Sequence, residues 1–124
     1  MRIMNLVLVC LMFSTVASAA DWQYVATNGT DKVGNDISYD KASVVNNGAT
    51  RKVWLKFHGV GTNPPKTDSK QLWSIRCHER QYRILVFLDD RGNDLAPSLT
   101  HTYTDIQPDS WMEDLLTQVC TKKS

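Results

Sequence analysis

Few residues in this chain are of types that carry chemistry. Cys77-His78-Glu79 lines up a thiol, a base and a carboxylate. Neighbours in an extended strand point to opposite faces, so this thiol and imidazole do not easily share a proton, and Cys77 has a better partner in Cys120. The three histidines, His58, His78 and His101, include no pair at His-x-x-x-His spacing. The acidic run Asp89-Asp90-Arg91-Gly92-Asn93-Asp94 resembles a calcium loop only in composition. An EF-hand needs Gly sixth and Glu twelfth, and counting back from Gly92 puts Phe87 first. There is no Gly-rich phosphate loop, Gly-x-Ser-x-Gly elbow or His-Glu-x-x-His pair. The expectation is a protein that is not an enzyme, with no catalytic residue, no cofactor and no metal site. What remains is recognition. Trp54 falls among Lys52, Lys56 and His58 on the polar side of its strand, where an aromatic is out of place. Trp54, Lys52 and Lys56 are therefore the candidate interface, the alternative being that the helix or another loop covers Trp54. Arg76, Arg80 and Arg83 form a second, weaker basic cluster, diluted by Glu79.

The elements that must position these residues read as an antiparallel sheet followed by a helix. Residues 22–26 alternate aromatic or β-branched residues with small or polar ones, and Asn28-Gly29-Thr30-Asp31 turns the chain. Residues 36–40 form a short strand. Residues 41–45 are ambiguous, a single turn plus an extended piece, before the turn at Asn46-Asn47-Gly48. Residues 49–58 put Val53, Leu55 and Phe57 on one face and Lys52, Trp54, Lys56 and His58 on the other, as in a sheet with one face on a core. Residues 59–68 (GVGTNPPKTD) are a loop, since adjacent prolines cannot join a central ladder. Residues 69–77 place Trp73, Ile75 and Cys77 together. Residues 82–88 place Tyr82, Ile84, Val86 and Leu88 in phase, with 78–81 as a bend or a tight connection. Asp89 to Asn93 is a hairpin turn, and residues 95–103, which contain Pro97, read as an edge strand. The end of the chain is helical. Ser110 and Glu113 match a capping box, Met112, Leu115, Leu116 and Val119 recur on one face, and Lys122 and Lys123 suit the dipole's negative end. A helix this short must dock to persist. The fold class expected is α+β: a single antiparallel sheet of about five to six strands with a C-terminal helix packed on it.

Residues 1–20 (MRIMNLVLVCLMFSTVASAA) have a charged start, an apolar stretch and a small-residue exit, the pattern of a cleaved signal peptide. Residues 21–124 are then one mature domain. Cys10 lies inside the apolar stretch after Val9, so there is no lipobox. Cleavage falls before Ala20 or before Asp21. No other segment is apolar enough to span a membrane. The mature chain keeps two cysteines, Cys77 and Cys120, which in an exported protein most simply form one disulfide. Closing a loop of roughly 40 residues contributes about 4 kcal/mol in the chain-entropy picture. The 124 residues carry fourteen Lys and Arg against thirteen Asp and Glu. That balance argues against nucleic acid as a partner.

The order of several pieces resembles the surface-adhesin protein E-like family of Gram-negative bacteria. They are the opening Trp22 to Val25 strand, Ile37-Ser38-Tyr39-Asp40 with Ala42-Ser43-Val44, and Gly48 leading to Lys52-Val53-Trp54. Then come Ser69-Lys70, the Cys77 strand with Arg80 and Arg83, the turn at Asp90 and Gly92, Ile106-x-Pro108-x-Ser110, and the helix ending Val119-Cys120. The resemblance implies an exported, non-enzymatic protein with a helix bonded to an antiparallel sheet, and a disulfide, Cys77–Cys120, whose role is structural. The family is named for an outer-surface adhesin that binds host matrix proteins. This chain departs from a surface lipoprotein in lacking an acylatable cysteine, which favours a periplasmic or secreted protein. The expected function is a small binding protein acting in adhesion or protein–protein interaction at the cell envelope. The partner is expected to be a protein, with homo-oligomerisation an open alternative. The competing reading is a periplasmic inhibitor of an envelope hydrolase such as lysozyme, working through the 59–68 loop.

Overall fold

The computed structural model describes residues 19–64, 68–98 and 102–121. The expected signal segment and the Lys122-Lys123 pair therefore lie wholly or almost wholly outside the described residues, as do His101 and the middle of the 59–68 loop. One antiparallel sheet contains β1 (Trp22–Gly29), β2 (Gly34–Asp40), β3 (Val45–Asn46), β4 (Thr50–Val60), β5 (Ser69–Arg76), β6 (Gln81–Leu88) and β7 (Thr104–Asp105). The strands run in the order β1-β2-β4-β5-β6-β7, with β3 also on β4. A single α-helix, α1 (Trp111–Cys120), follows. The class is α+β as expected, but the strand count is seven rather than five to six, because β3 and β7 are two-residue pieces.

Both short pieces arise where side chains take over ladder positions. The ambiguous stretch after β2 is a 3-10 turn, Lys41–Ser43, followed by β3. There the Asp40 carboxylate accepts from Ala42 N at 3.0 Å, and Ser43 Oγ accepts from Trp54 N at 3.0 Å. That hydroxyl satisfies a β4 donor which the broken strand leaves unpaired. Of the stretch expected as an edge strand, 95–103, residues 99–101 lie outside the described residues, and the described part does not form one. Ala96–Ser98 is a 3-10 turn, and the edge pairing comes later, at β7. Asp94 Oδ1 accepts from both Phe87 N and Ala96 N, and Leu95 N donates to Phe87 O at 2.7 Å. A carboxylate thus replaces strand pairing, and Pro97 has no donor to continue it.

The phase expected for β6 is also corrected. Leu72 pairs with Val86 but Trp73 pairs with Ile84, so Leu85 is the extra residue of a β-bulge. Tyr82 and Ile84 share the face of Trp73 and Ile75, while Val86 and Leu88 lie on the opposite face. The capping box is corrected too. Ser110 Oγ donates to Gln107 O at 2.6 Å and makes no side-chain cap. With Asp109 in the left-handed region (φ 59°), its N–H, and not that of Ser110, meets Glu113 Oε2 at 2.7 Å.

The core lies between the helix and one face of the sheet. Leu115, Leu116 and Val119 are buried with Ile37, Tyr39, Val53, Leu55, Trp73 and Ile75. Each such aliphatic side chain contributes about 1.5–3 kcal/mol on burial. Trp73 stacks on Tyr82 at 4.3 Å and tilts against Trp111 at 5.6 Å, and Trp111 meets the edge of Phe57. Trp73 Nε1 donates to Gln71 Oε1 at 2.9 Å, which satisfies a buried amide. Cys77, just past β5, is bonded to Cys120 in the last helical turn, with Cα atoms 5.7 Å apart across 43 residues of sequence. Opposite the same β5–β6 turn, Arg80 Nη2 reaches Glu113 Oε1 at 2.9 Å. The helix is therefore tethered to this turn from both ends. Reduction of the disulfide is expected to lower unfolding free energy by about 4 kcal/mol. Leu115→Ala is expected to cost about 2–5 kcal/mol. Denaturant titrations of oxidised, reduced and variant chains check both values.

Candidate binding surface

The face of the sheet turned away from the helix is built from cross-strand rows, because directly paired residues share a face. Lys56, Lys70 and Leu88 form one row, and Trp54, Leu72 and Val86 the next. Lys52, Ser74 and Arg83 follow, then Thr50, Arg76 and Gln81. The result is a half-buried apolar row, Trp54–Leu72–Val86, bordered on both sides by cations. The expected interface residues Trp54, Lys52 and Lys56 all lie on this face. Lys52 is exposed, and Trp54 is half-buried rather than fully presented or covered. Leu72 and Val86 continue the row, and sequence periodicity missed Val86 because the Leu85 bulge reverses its face.

The other expected groups separate. Lys56 Nζ sits 4.5 Å from the Trp22 ring, a cation–π contact on the same face. Of the three arginines, Arg80 turns to Glu113, while Arg76 and Arg83 both lie over Tyr103, 3.7 and 5.0 Å from its centroid. Tyr103 folds back from β7 and shares a 2.9 Å hydrogen bond with Ser74 Oγ. His78 and Glu79 are exposed in the β5–β6 turn. Asp89 accepts from Arg91 N, Asn93 N and Asn93 Nδ2, which closes the expected hairpin turn and holds its carboxyl below the ordinary range, the Asn93 N–H being the largest cause. Among the described residues, no group of three or more His, Cys, Asp or Glu is placed to hold a metal ion. No helix among them is long and apolar enough to cross a membrane.

Among the described residues, two of the open hollows bear on these charges. One, of about 420 Å³, is lined by Lys56, Lys70 and Leu88 together with Asp68, Asp89 and Asp90 at the rim of the same face. The other, of about 570 Å³, lies between the end of β1 and the helix start and is bordered by Asp109, Glu113 and Asp114. Cations thus border the apolar row of the outer sheet face, with carboxylates at its rim, and further carboxylates line the helix entrance. The 59–68 loop is anchored at both flanks. Thr62 N and Asn63 N donate to Asp31 O and Lys32 O at 3.1 and 2.7 Å. His58 Nδ1 and Asp68 Oδ2 are 2.9 Å apart, and Gly59 N donates to Asp68 Oδ1.

These features define a class by architecture: a disulfide-tethered helix on one face of an antiparallel sheet, with a cation-bordered apolar row on the other. No protein-family model, no curated protein and no solved structure matches the chain.

The His58 hydrogen bond is the main cause that holds the Asp68 carboxyl below its ordinary value, with the Gly59 N–H second. A carboxylate with a depressed folded-state value stabilises the fold above its unfolded value, and this contribution fades as pH falls through the folded-state value. Both partners are more than half exposed, so solvent screens the gain. His58→Ala is expected to move the Asp68 titration upward but not fully to the ordinary value, because Gly59 N–H remains. Side-chain carboxyl NMR titration reads this shift.

Proposed function

We propose that the chain is an exported, non-enzymatic binding protein of the surface-adhesin protein E-like type. In this reading it is periplasmic or secreted, and it meets a protein partner at the cell envelope through the outer sheet face. The observation that carries the reading is the Trp54–Leu72–Val86 row set between Lys52, Lys56, Lys70, Arg76 and Arg83. An aromatic anchor among aliphatic neighbours supplies desolvation energy, and the surrounding cations steer and select an acidic partner. The Cys77–Cys120 bond supports an oxidising compartment, where such bonds persist.

Immobilised disulfide-bonded chain is expected to retain an acidic envelope or matrix protein. Trp54→Ala and the Lys52→Glu/Lys56→Glu pair should each lower that retention by about tenfold or more, the scale of a lost hot spot. Asp114→Asn, exposed on the helix side, serves as the control that leaves it unchanged. Equal retention by all variants overturns the reading.

A second reading, inhibition of an envelope hydrolase such as lysozyme, is favoured by the two-sided anchoring of the 59–68 loop. Gly61 has φ 108°, and an added Cβ would sit 2.7 Å from Lys32 O. Gly61→Ala is therefore expected to cost about 1–3 kcal/mol and to displace the loop. Loss of hydrolase inhibition in that variant, with Trp54→Ala unaffected, would transfer the function to the loop.

A further inference from the structure

We infer that Arg76, Arg83 and Tyr103 form a binding site for a phosphate monoester. The inference deepens the reading above by naming the chemistry that one end of the outer face recognises. Two guanidinium groups converge on one aromatic ring, 3.7 and 5.0 Å from its centroid. Lys52 stands in the same cross-strand row, two strands from Arg83 with Ser74 between them. Like charges gathered this closely repel one another, and the arrangement is relieved by an anion between them.

The protein itself supplies little counter-charge. Neither of the two ion pairs among the described residues involves Arg76, Arg83 or Lys52. The nearby Asp105 carboxylate accepts from Gln81 Nε2 at 3.0 Å. Arg83 Nε is buried and, among the described residues, has no hydrogen-bond partner. A buried donor without an acceptor is costly, and the planar Nη pair of the same guanidinium matches two oxygens of a carboxylate or phosphate. Three cations favour a doubly charged ligand over a single carboxylate. A phosphate monoester carries a charge of about −1.5 to −2 near neutral pH. Tyr103, held by Ser74, keeps the two guanidinium planes in place, so the site is organised before the anion arrives.

The probe is inorganic phosphate, titrated into the disulfide-bonded chain at constant ionic strength. The Nε–Hε resonances of Arg76 and Arg83 are followed by NMR. A saturable shift is expected, with sulfate competing and chloride not. Arg83→Gln should weaken phosphate binding about tenfold or more, the scale of a lost charged hydrogen bond. Arg76→Gln provides the same reading should the first variant fail to fold. Arg83→Lys, which keeps charge but not the fork, should fall between the two. Vesicles of phosphatidylcholine with and without phosphatidic acid separate a lipid-borne phosphate from a free one. Co-sedimentation that needs phosphatidic acid and is lost in the Gln variants assigns the lipid. No co-sedimentation alongside saturable phosphate binding assigns the free anion or a soluble ester. A shift that chloride reproduces, or phosphate affinity unchanged in both Gln variants, overturns the inference. Retention of the protein partner is scored separately. Its persistence without phosphate binding sinks only this site. Its indifference to Trp54→Ala with phosphate binding intact sinks only the outer-face reading.

Discussion

The covalent bond between Cys77 and Cys120 is the constraint on which the rest of the structure depends. It joins the end of a central strand to the last turn of a ten-residue helix. Such a helix has too few internal hydrogen bonds to persist alone. Its first turn is held separately, by Glu113 between Arg80 and the Asp109 N–H, and that carboxyl is kept below its ordinary value by Asp109 first and Arg80 second. With both ends held, Leu115, Leu116 and Val119 stay against the sheet. Trp111 is then fixed between Phe57 and Trp73.

Committing one face of the sheet to the helix decides what the other face is. Strand alternation sends Val53, Leu55, Trp73 and Ile75 inward and leaves Lys52, Trp54, Lys56, Leu72 and Ser74 outward. In β6 the Leu85 bulge changes this alternation once, and the change is consequential. Without it, Val86 would face the helix and the outer apolar row would end at Leu72. On the turn side of the bulge, the unbroken hairpin register keeps Arg83 outward beside Ser74, where Tyr103 folds over it. A chain of almost balanced overall charge therefore gathers cations beside the apolar row of its outer face, with carboxylates at the rim and at the helix entrance. Composition averages such an arrangement away.

Much of the architecture was legible from local patterns. The β4 alternation, the helical spacing of Met112 to Val119 and the Asp89–Asn93 turn each depend on a few neighbouring residues and were read as they occur. Apart from the β6 phase, which the Leu85 bulge reverses, the misreadings share one cause, a side chain that takes up a backbone group. Asp94 turned an expected strand into a 3-10 turn, Ser43 bridged the gap between β2 and β3, and Asp109 took the contact expected of Ser110. These substitutions depend on partners ten or so residues away or on a left-handed backbone, and single-sequence periodicity carries neither.

By itself the sequence determined the class of fold, the inward faces of β4 and α1, and the pairing of the only two cysteines past residue 20. Period-two and period-3.6 hydrophobicity, together with cysteine count, are local or combinatorial properties. Tertiary structure alone decided which cations meet. Arg76 and Arg83 were legible as basic residues, but their convergence on Tyr103 needs the β5–β6 hairpin, whose register sets their phase, and the segment that leads into β7. Positions brought together by two separate backbone events leave no trace in linear spacing, because each event is selected by packing across the sheet rather than by neighbours along the chain.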